Sequence, residues 1–243
     1  MSGRRIMVIG SCGGIGKSCA EKLDKLGYRL VVTGTDEEKI KSVIDHLNNV
    51  DMYMKMDVTD TNQVKQIFDC LKEKKLKLDG MIYASGISGV QPLKVINREL
   101  LHNVFEVNCF GFMDVCKYMA SKRISNDFSS IVAISSMASV ENYIGEIAYC
   151  ASKAALNSAV KVASKELMNR KIRVNAVLPG TTETPMINQA REFDTGFDEN
   201  VLRNQPLGII QPEYVADMVE FLLSDKSRFI TGDCIMINAG REC

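Results

Sequence analysis

The chain has 243 residues, of which 46% are hydrophobic and 25% are charged, and its 30 basic and 30 acidic side chains give a formal net charge of zero. A chain of this length can bury about 70% of the surface that its unfolded form exposes. We therefore expect residues 1–243 to form a single large domain. The balanced charge gives no support to nucleic acid or an anionic membrane surface as the main partner.

Eight cysteines are present, without a CxxC pair and without a cysteine–histidine cluster at zinc-ligand spacing. This pattern is typical of reduced thiols and predicts no metal site. The apolar run near the N-terminus, residues 6–9, is too short for a signal peptide. No stretch approaches the roughly 20 apolar residues of a transmembrane helix, so we expect a cytoplasmic protein without a membrane partner.

Short β-rich runs alternate with longer segments of helical periodicity along the chain. The candidate strands are 6–9, 30–33, 52–56, 81–84, 130–134, 173–178 and 234–237. Alternation at this rhythm predicts a parallel sheet with helices on both faces. Right-handed crossovers then favour a doubly wound α/β sheet of the Rossmann type, with about seven strands.

The segment 179–207 breaks this rhythm, because it is polar and irregular and contains Gly180, Pro185 and Gly196. A long irregular segment inside a compact domain is usually functional or disordered. It begins where the candidate strand 173–178 ends, at the edge where such sheets bind ligands. We predict that it is a substrate lid, with room for short helices of its own.

A glycine-rich turn follows the first candidate strand, with Gly10, Gly14 and Gly16 in the spacing GxxxGxG. Gly10 fits a tight turn, Gly14 a close approach of the backbone to a pyrophosphate, and Gly16 close packing of helix on strand. The helix that follows offers unpaired N–H groups and the positive end of its dipole to phosphates. An ordinary strand-to-helix turn is the alternative interpretation.

Tyr149 and Lys153 lie four residues apart in a helical stretch, so both side chains share one helix face. A phenol with a pKa near 10 is a poor acid or base at neutral pH, and a nearby ammonium favours its ionised form. This gives a reason for the pair in proton transfer. A buried tyrosine beside a solvated lysine is the alternative.

Two further polar residues precede this pair. Ser136 follows the candidate strand 130–134, where its hydroxyl can bind a carbonyl oxygen that becomes an alkoxide. Asn108 lies within a helical stretch, where asparagine is unfavourable without a specific role. A turn-forming serine and an exposed asparagine are the alternatives.

Together these residues resemble the short-chain dehydrogenase/reductase family in its compact form, over nearly the whole chain. The family's catalytic asparagine, serine, tyrosine and lysine match Asn108, Ser136, Tyr149 and Lys153 in order and with similar spacing. The resemblance implies an NAD(P)-dependent oxidoreductase that interconverts a carbonyl and a secondary alcohol. It makes Tyr149 the proton donor or acceptor and Lys153 the group that lowers its pKa and binds the nicotinamide ribose. Ser136 would hold the substrate oxygen, and Asn108 a water that relays protons.

The resemblance extends to the cofactor site. The family's TGxxxGxG matches residues 9–16, with Ile9 in place of threonine, and its NNAG element is represented by 83–86, which keeps only the glycine. The bulky Tyr83 must be accommodated there. By resemblance, the expected cofactor contacts are Gly10, Ser11, Gly14, Ile15, Gly16, Thr35, Asp57, Val58, Ala84, Gly86, Tyr149, Lys153, Pro179, Gly180 and Thr184.

The choice of nicotinamide depends on the end of the second strand. NAD-using relatives carry an acid at the position of Gly34, and many NADP-using relatives carry arginine at the position of Thr35. Here both are missing, and Asp36 is placed to cap the next helix. Without a carboxylate at Gly34 a 2′-phosphate is not repelled, so the sequence favours NADP(H) and leaves NAD(H) open.

The overall pattern is closest to 3-oxoacyl-(acyl-carrier-protein) reductases, which makes a 3-oxoacyl-type ketone the expected substrate. An acidic carrier protein would need a basic docking patch, and the candidates are Lys122, Arg123, Arg170 and Lys171, with Asp127 nearby. The candidate substrate-pocket residues are Ser88, Val140, Tyr143, Met186 and Ile187. Apolar residues on several faces of helices 100–119 and 147–167 are compatible with a homotetramer or homodimer, as the resemblance implies.

Three alternatives stay open. The first is an NAD-dependent dehydrogenase of a small alcohol, polyol or sugar. The second is a cofactor-binding sensor without chemistry, although Tyr149 and Lys153 are both retained. The third is a nucleotide-sugar epimerase or dehydratase, which the short chain and its glycine spacing disfavour.

Overall fold

The computed structural model describes residues 3–193 and 195–241. The strands are β1 (Arg5–Ile9), β2 (Arg29–Gly34), β3 (Val50–Lys55), β4 (Leu78–Tyr83), β5 (Ser125–Ile134), β6 (Arg173–Pro179) and β7 (Cys234–Ile237). The helices are α1 (Gly14–Lys25), α2 (Glu37–Ile44), α3 (Thr61–Glu73), α4 (Arg98–Phe105), α5 (Gly111–Met119), α6 (Ala138–Glu141), α7 (Ile147–Glu166), α8 (Pro185–Phe193), α9 (Phe197–Asn204) and α10 (Pro212–Leu223), and a π-helical segment, Glu106–Phe110, joins α4 to α5.

The seven described strands form one parallel sheet in the order β3-β2-β1-β4-β5-β6-β7. This confirms the predicted doubly wound Rossmann-type fold. The order reverses between β1 and β4, and the crevice beyond the carboxyl ends of these two strands is where such sheets bind ligands.

Both faces of the sheet are buried under helices, as the apolar strand sequences require. In β1, Ile6 and Val8 pack into one core layer, while Met7 and Ile9 pack into the other. The second layer includes buried residues of α3, α5 and α7, and the first includes those of α1 and α10. Alternate residues of one strand therefore anchor opposite helix layers.

The fifth strand begins five residues earlier than the predicted 130–134. Its pairing with β4 is irregular, because Leu78 pairs with Ser125 while Gly80 pairs with Ser130. Phe128, inside this irregular part, has a φ of 65°. The polar residues of the bulge interrupt the apolar pattern, and so the sequence alone did not indicate a strand there.

The predicted cap of the second helix is confirmed. The carboxylate of Asp36 accepts a hydrogen bond from the backbone N–H of Lys39 at 3.1 Å, and Glu37 and Glu38 occupy the first turn. The carboxylate of Asp36 is therefore used as the N-cap of α2.

The segment 179–207 contains two short helices, α8 and α9. Arg191 of α8 joins them to the preceding loop, because its guanidinium lies 2.5 Å from Glu183 and 2.9 Å from Asp198. The segment thus has a defined internal structure beside the carboxyl end of β6. Within the described ranges, no helix is long and apolar enough to span a membrane.

Arg170 does not belong to a basic docking patch, contrary to the sequence-based expectation. Its side chain is buried, donating hydrogen bonds to the carbonyls of Met119 and Ser125 and pairing with Asp127 at 2.8 Å. The guanidinium of Arg170 therefore stabilises the irregular start of β5. Lys122 and Arg123 are exposed.

Replacing Arg170 with methionine should lower the free energy of unfolding by about 2–3 kcal/mol, because buried carbonyls lose their donors. Chemical denaturation of the two proteins measures the difference. The matched control is Arg123→Met at an exposed position, which should stay within about 0.5 kcal/mol of the wild type. Equal effects of the two substitutions would contradict the structural role of Arg170.

Candidate active site

The turn after β1 lies against the end of β4, at the crevice where the strand order reverses. Gly10 has a φ of +80°, and a Cβ at this position would lie 2.6 Å from the backbone nitrogen of Ser85. Only glycine fits this combination of conformation and close approach. The first glycine of the predicted motif therefore brings the loop to the 83–86 element.

The glycine loop leads directly into α1, whose first N–H groups have no partner within the helix. A Cβ on Gly14 would lie 2.6 Å from Cγ2 of Thr184, so the loop lies beside the start of the segment 179–207. Gly16 packs its backbone against Gly10, which leaves no room for a side chain. Because a cradle of free N–H groups without side chains suits a pyrophosphate, these residues fit a dinucleotide.

Ser11 departs from the expected cofactor contacts. Its backbone N–H and its hydroxyl both donate to the carbonyl of Thr33, at 3.0 and 2.9 Å, and the residue is fully buried. Ser11 therefore connects the loop to β2, and neither its N–H nor its hydroxyl proton is directed to a ligand. Ile15 follows in the first turn of α1 and is packed against the apolar layer on that side.

The end of β2 carries no carboxylate toward the loop. A Cβ on Gly34 would lie 2.8 Å from Sγ of Cys12, so the thiol occupies the space beside this glycine. Thr35 is exposed, and Lys39 lies 3.8 Å from the capping carboxylate of Asp36. The surface beside Gly34 thus carries the hydroxyl of Thr35 and the ammonium of Lys39, which is paired with Asp36.

Asp57 and Val58, which are among the expected cofactor contacts, follow β3. One oxygen of Asp57 accepts hydrogen bonds from the N–H and the hydroxyl of Thr59, at 2.9 and 2.8 Å. Val58 is buried in the core. A Cβ on Gly111 would lie only 2.9 Å from Cβ of Val58. The turn after β3 is thereby fixed in place.

The serine and tyrosine of the predicted catalytic set are neighbours. The Ser136 hydroxyl lies close enough to the Tyr149 phenol to lower the pKa of that phenol by hydrogen bonding. Oγ of Ser136 also accepts a hydrogen bond from the N–H of Ala138 at 3.1 Å, so the hydroxyl is held at the end of β5. The turn-forming interpretation of this serine is confirmed, and the binding of a carbonyl oxygen by its hydroxyl stays a prediction.

Lys153 is buried with its ammonium under the site. Nζ donates to the carbonyl of Ile134 at 2.8 Å and lies 5.7 Å from the centre of the Tyr149 ring. Burial lowers the pKa of Lys153 from its ordinary 10.5 to about 8. A buried amine that titrates near neutrality is the kind of group found in reacting sites.

The phenol behaves differently from the sequence-based expectation. The pKa of Tyr149 is raised to about 12, chiefly by burial and to a smaller extent by the carboxylate of Glu146, while the hydroxyl of Ser136 lowers it. The predicted net lowering of this pKa is therefore wrong for this arrangement, because desolvation of the phenolate is the largest effect. Tyr149 is consequently a protonated phenol at neutral pH.

Asn108 lies in the π-helical segment and is fully buried, so the exposed alternative is wrong. Its amide oxygen accepts from the N–H of Ile87 at 2.9 Å, while its amide nitrogen donates to the carbonyl of Ile87 at 3.0 Å and to Oγ of Ser152 at 2.9 Å. A Cβ on Gly86 would lie 3.3 Å from Nζ of Lys153 and 3.4 Å from Oδ1 of Asn108. The carboxyl ends of β4 and β5 and the first turns of α7 therefore meet around Gly86.

Pro179 and Gly180 end β6 against the same region. The N–H of Met137 donates to the carbonyl of Pro179 at 2.9 Å, and the N–H of Gly180 donates to Ile237 at 2.8 Å. A Cβ on Gly180 would lie 2.6 Å from Oε1 of Gln205. The start of the segment 179–207 is therefore fixed to both neighbouring strands.

A second polar cluster was missed from the sequence. Arg241 donates to Oη of Tyr143 at 2.8 Å and lies 3.3 Å from Oε2 of Glu141, and Tyr143 donates to the same carboxylate at 2.5 Å. Arg241 is distant in sequence from its partners, so no local pattern could indicate the cluster. Of the predicted pocket residues, Ser88, Val140, Tyr143, Met186 and Ile187 all retain solvent exposure.

Replacing Lys153 with methionine should raise the free energy of unfolding at pH 7 by on the order of 1–3 kcal/mol, because the cost of burying a charge is removed. The folded-state pKa of about 8 lies below the ordinary 10.5, so wild-type stability is lowest below pH 8 and rises as the pH increases toward 10.5. The gain should shrink over this interval. Denaturation curves from pH 7 to 10 measure it, and a methionine variant that is less stable at pH 7 would contradict the analysis.

Residues 10–242 match the family model described as Enoyl-(Acyl carrier protein) reductase. The 3-oxoacyl-(acyl-carrier-protein) reductase of Thermotoga maritima is 31% identical over 245 residues, covering 99% of this chain and 98% of the relative. The L-xylulose reductase of Bos taurus is 29% identical, covering 99% and 97%.

Solved structures agree with the sequence relatives. A crystal structure of a variant of actinorhodin polyketide ketoreductase with NADPH is 25% identical, covers 100% of both chains and has a TM-score of 0.92. A short-chain type dehydrogenase/reductase from Mycobacterium ulcerans is 26% identical, covers 99% of this chain and 90% of that one, and has a TM-score of 0.90. Sequence, fold and full-length coverage agree, and the chain belongs to the short-chain dehydrogenase/reductase family of oxidoreductases that act on CH–OH groups.

Proposed function

We propose that this chain is an NADPH-dependent reductase of 3-oxoacyl-type ketones. The observation that carries the proposal is the convergence of a protonated phenol, a neighbouring hydroxyl and a buried amine in one site, formed by Tyr149, Ser136 and Lys153, with Nζ of Lys153 5.7 Å from the centre of the Tyr149 ring. These groups can bind a carbonyl oxygen and supply it with a proton.

When bound, NADPH would supply the hydride to the carbonyl carbon. The hydroxyl of Ser136 donates a hydrogen bond to the carbonyl oxygen and orients it beside Tyr149. The phenol then transfers its proton to this oxygen, which becomes the hydroxyl of the product. Lys153, held by the carbonyl of Ile134 at 2.8 Å, stabilises the phenolate that remains and binds the nicotinamide ribose.

The protonation state of Tyr149 supports the direction of reduction. With a pKa of about 12 the phenol holds its proton at neutral pH and is ready to donate it. Oxidation of an alcohol would begin from the phenolate, which this environment disfavours. Asn108 holds the proton-relay water in this proposal, and Gly86 leaves the space between Asn108 and Lys153 open.

The preference for NADPH follows from the end of β2. Gly34 brings no carboxylate that would repel a 2′-phosphate, and Thr35 and Lys39 offer a hydroxyl and an ammonium. The NADPH named with the actinorhodin ketoreductase is consistent with this preference. The proposed contacts of the phosphate loop are Gly10, Gly14, Ile15 and Gly16, and Thr184 covers the loop from the opposite side.

The 3-oxoacyl substrate class is supported by the reductases that this chain resembles at 31% identity. A small polyol or sugar is the second class, supported by the similarity to L-xylulose reductase. The segment 179–207 is the substrate lid in this proposal, since it leaves β6 at the crevice and Thr184 lies against Gly14. We place the whole chain, 1–243, in one domain.

We also propose a homodimer or homotetramer that packs through α5 and α7. Large apolar side chains are exposed on this face, namely Phe110, Met113, Ile147 and Val162. Burial of such a surface is the usual basis of stable association.

Replacing Tyr149 with phenylalanine should lower kcat by about 100-fold to 10,000-fold, because the proton donor is lost. The dissociation constant for NADPH should change little, since the ring is retained. Steady-state turnover and nicotinamide fluorescence measure the two quantities. Tyr214→Phe, at an exposed tyrosine of α10, is the matched control and should leave both unchanged. Near-normal turnover of the Tyr149 variant would exclude it as the donor.

A titration with NADPH and NADH, followed by a ketone panel, tests cofactor and substrate together. We expect tighter binding of NADPH and turnover of an acetoacetyl thioester. Stronger binding of NADH would reverse the interpretation of Gly34 and Thr35. Turnover of L-xylulose or other polyol ketones alone would select the second substrate class, and binding of neither nucleotide would reject the oxidoreductase chemistry.

A further inference from the structure

Tyr83 ends β4 at the position where the family motif has its first asparagine, and it is fully buried. Its hydroxyl donates a hydrogen bond to the carbonyl of Val107 at 2.5 Å. The ring lies edge-on against Phe112, with a centre-to-centre distance of 5.6 Å and an interplanar angle of 76°. The bulky substitution therefore connects the central sheet to the helix that crosses above it.

The carbonyl that receives this hydrogen bond belongs to the π-helical segment Glu106–Phe110. A π-helical turn shifts carbonyls out of the regular helical ladder, and such turns are uncommon and frequently lie at functional sites. A buried carbonyl needs a donor, and an unsatisfied one destabilises the turn. The phenol of Tyr83 meets this requirement from outside the helix.

The neighbouring positions are adapted to the hydroxyl. A Cβ on Gly111 would lie 2.5 Å from Oη of Tyr83 and 2.9 Å from Cβ of Val58, so a side chain there would compete with the phenol. Burial raises the pKa of Tyr83. The phenol consequently keeps its proton, and the hydrogen bond to Val107, across the working pH range.

The residue after Val107 is Asn108, which faces the reacting groups. Its amide oxygen accepts a hydrogen bond from the N–H of Ile87. Its amide nitrogen donates to the carbonyl of Ile87 and to Oγ of Ser152. Ser152 in turn donates to the carbonyl of Tyr149 at 2.8 Å. A shift of the π-helical turn would thus be transmitted to the loop after β4 and to the first turns of α7.

We propose that Tyr83 is a positioning residue that fixes the π-helical turn through Val107 and so orients Asn108 in the active site. This inference rests on the proposed reduction for its kinetic consequences. It assigns a role to the residue at which the chain departs most from the family motif. The departure then supplies a positioning contact of its own, from the hydroxyl of Tyr83 to the carbonyl of Val107.

The first test measures geometry without activity. The N–H of Ile87 donates directly to Oδ1 of Asn108, so its hydrogen-exchange rate reports whether Asn108 is in place. Tyr83→Phe should accelerate this exchange by about three- to tenfold, in the direction of Asn108→Ala. The matched control is Tyr28→Phe, at a buried tyrosine whose hydroxyl donates to Glu220 at 3.4 Å, remote from the site. Exchange at Ile87 that is unchanged in Tyr83→Phe would overturn the proposal.

The second test is a double-mutant cycle on turnover. Tyr83→Phe should lower kcat by about three- to tenfold, with the NADPH dissociation constant within twofold of the wild type. In the Asn108→Ala background the same substitution should have no further effect on kcat, because the positioned group is gone. Multiplicative effects of the two substitutions would overturn the proposal, as would a wild-type kcat for Tyr83→Phe.

The two tests separate the inference from the proposed function. If the wild type reduces no ketone, the proposed function fails, and the exchange at Ile87 still decides the role of Tyr83. If the wild type is active but the exchange is unchanged, the inference alone fails. If the Tyr83→Phe variant unfolds under conditions where Tyr28→Phe stays folded, Gly111→Ala takes its place in the exchange test, because a Cβ on Gly111 would lie 2.5 Å from Oη of Tyr83 and displace the hydroxyl from Val107. Faster exchange than in the wild type then supports the proposal, and an unchanged rate contradicts it.

Discussion

The burial of the Lys153 ammonium is the constraint on which the rest of the site depends. Removing a charge from water is costly, and here the carbonyl of Ile134 provides a close acceptor at 2.8 Å. Gly86 leaves room for Nζ, since a Cβ there would lie 3.3 Å away, closer than ordinary van der Waals contact. The same burial that destabilises the charged amine keeps the phenol of Tyr149 protonated. One desolvated space therefore shifts the two groups in opposite directions, lowering the pKa of Lys153 and raising that of Tyr149.

Much of the fold follows from the sequence, because the sheet is buried on both faces and its strands are continuous apolar runs. This apolar pattern is weaker where polar residues in a strand form local hydrogen bonds. The start of β5 carries polar residues in a bulge, and Arg170 holds this bulge by binding Ser125 and Met119. From the sequence alone Arg170 was counted as a surface charge. Its burial depends on carbonyls that only the folded chain brings together.

The site shows the same division between local pattern and tertiary contact. The glycine loop, Ser136, Tyr149 and Lys153 are predictable, since each lies at a strand end or one helical turn from the next. The predicted direction of the pKa shift of Tyr149 was wrong. The sequence spacing of Tyr149 and Lys153 shows that a charge is near the phenol, but it does not show how far burial removes the phenol from water. Ser11 was expected to face a ligand and instead bonds to Thr33. Arg241 could not be found, since its contact with Tyr143 joins distant parts of the chain.

A departure from a family motif is best interpreted through the atoms that take over its contacts. At Tyr83 the sequence indicated only a bulky residue in a conserved place. In the structure its hydroxyl reaches Val107, Gly111 makes room for it, and the π-helical turn carries Asn108 into the site. Asn108 then reaches Tyr149 through Ser152. Because these contacts run from the sheet through Val107 and the adjacent Asn108 to the backbone carbonyl of Tyr149, the backbone position of Tyr149 is connected to residues in three separate elements.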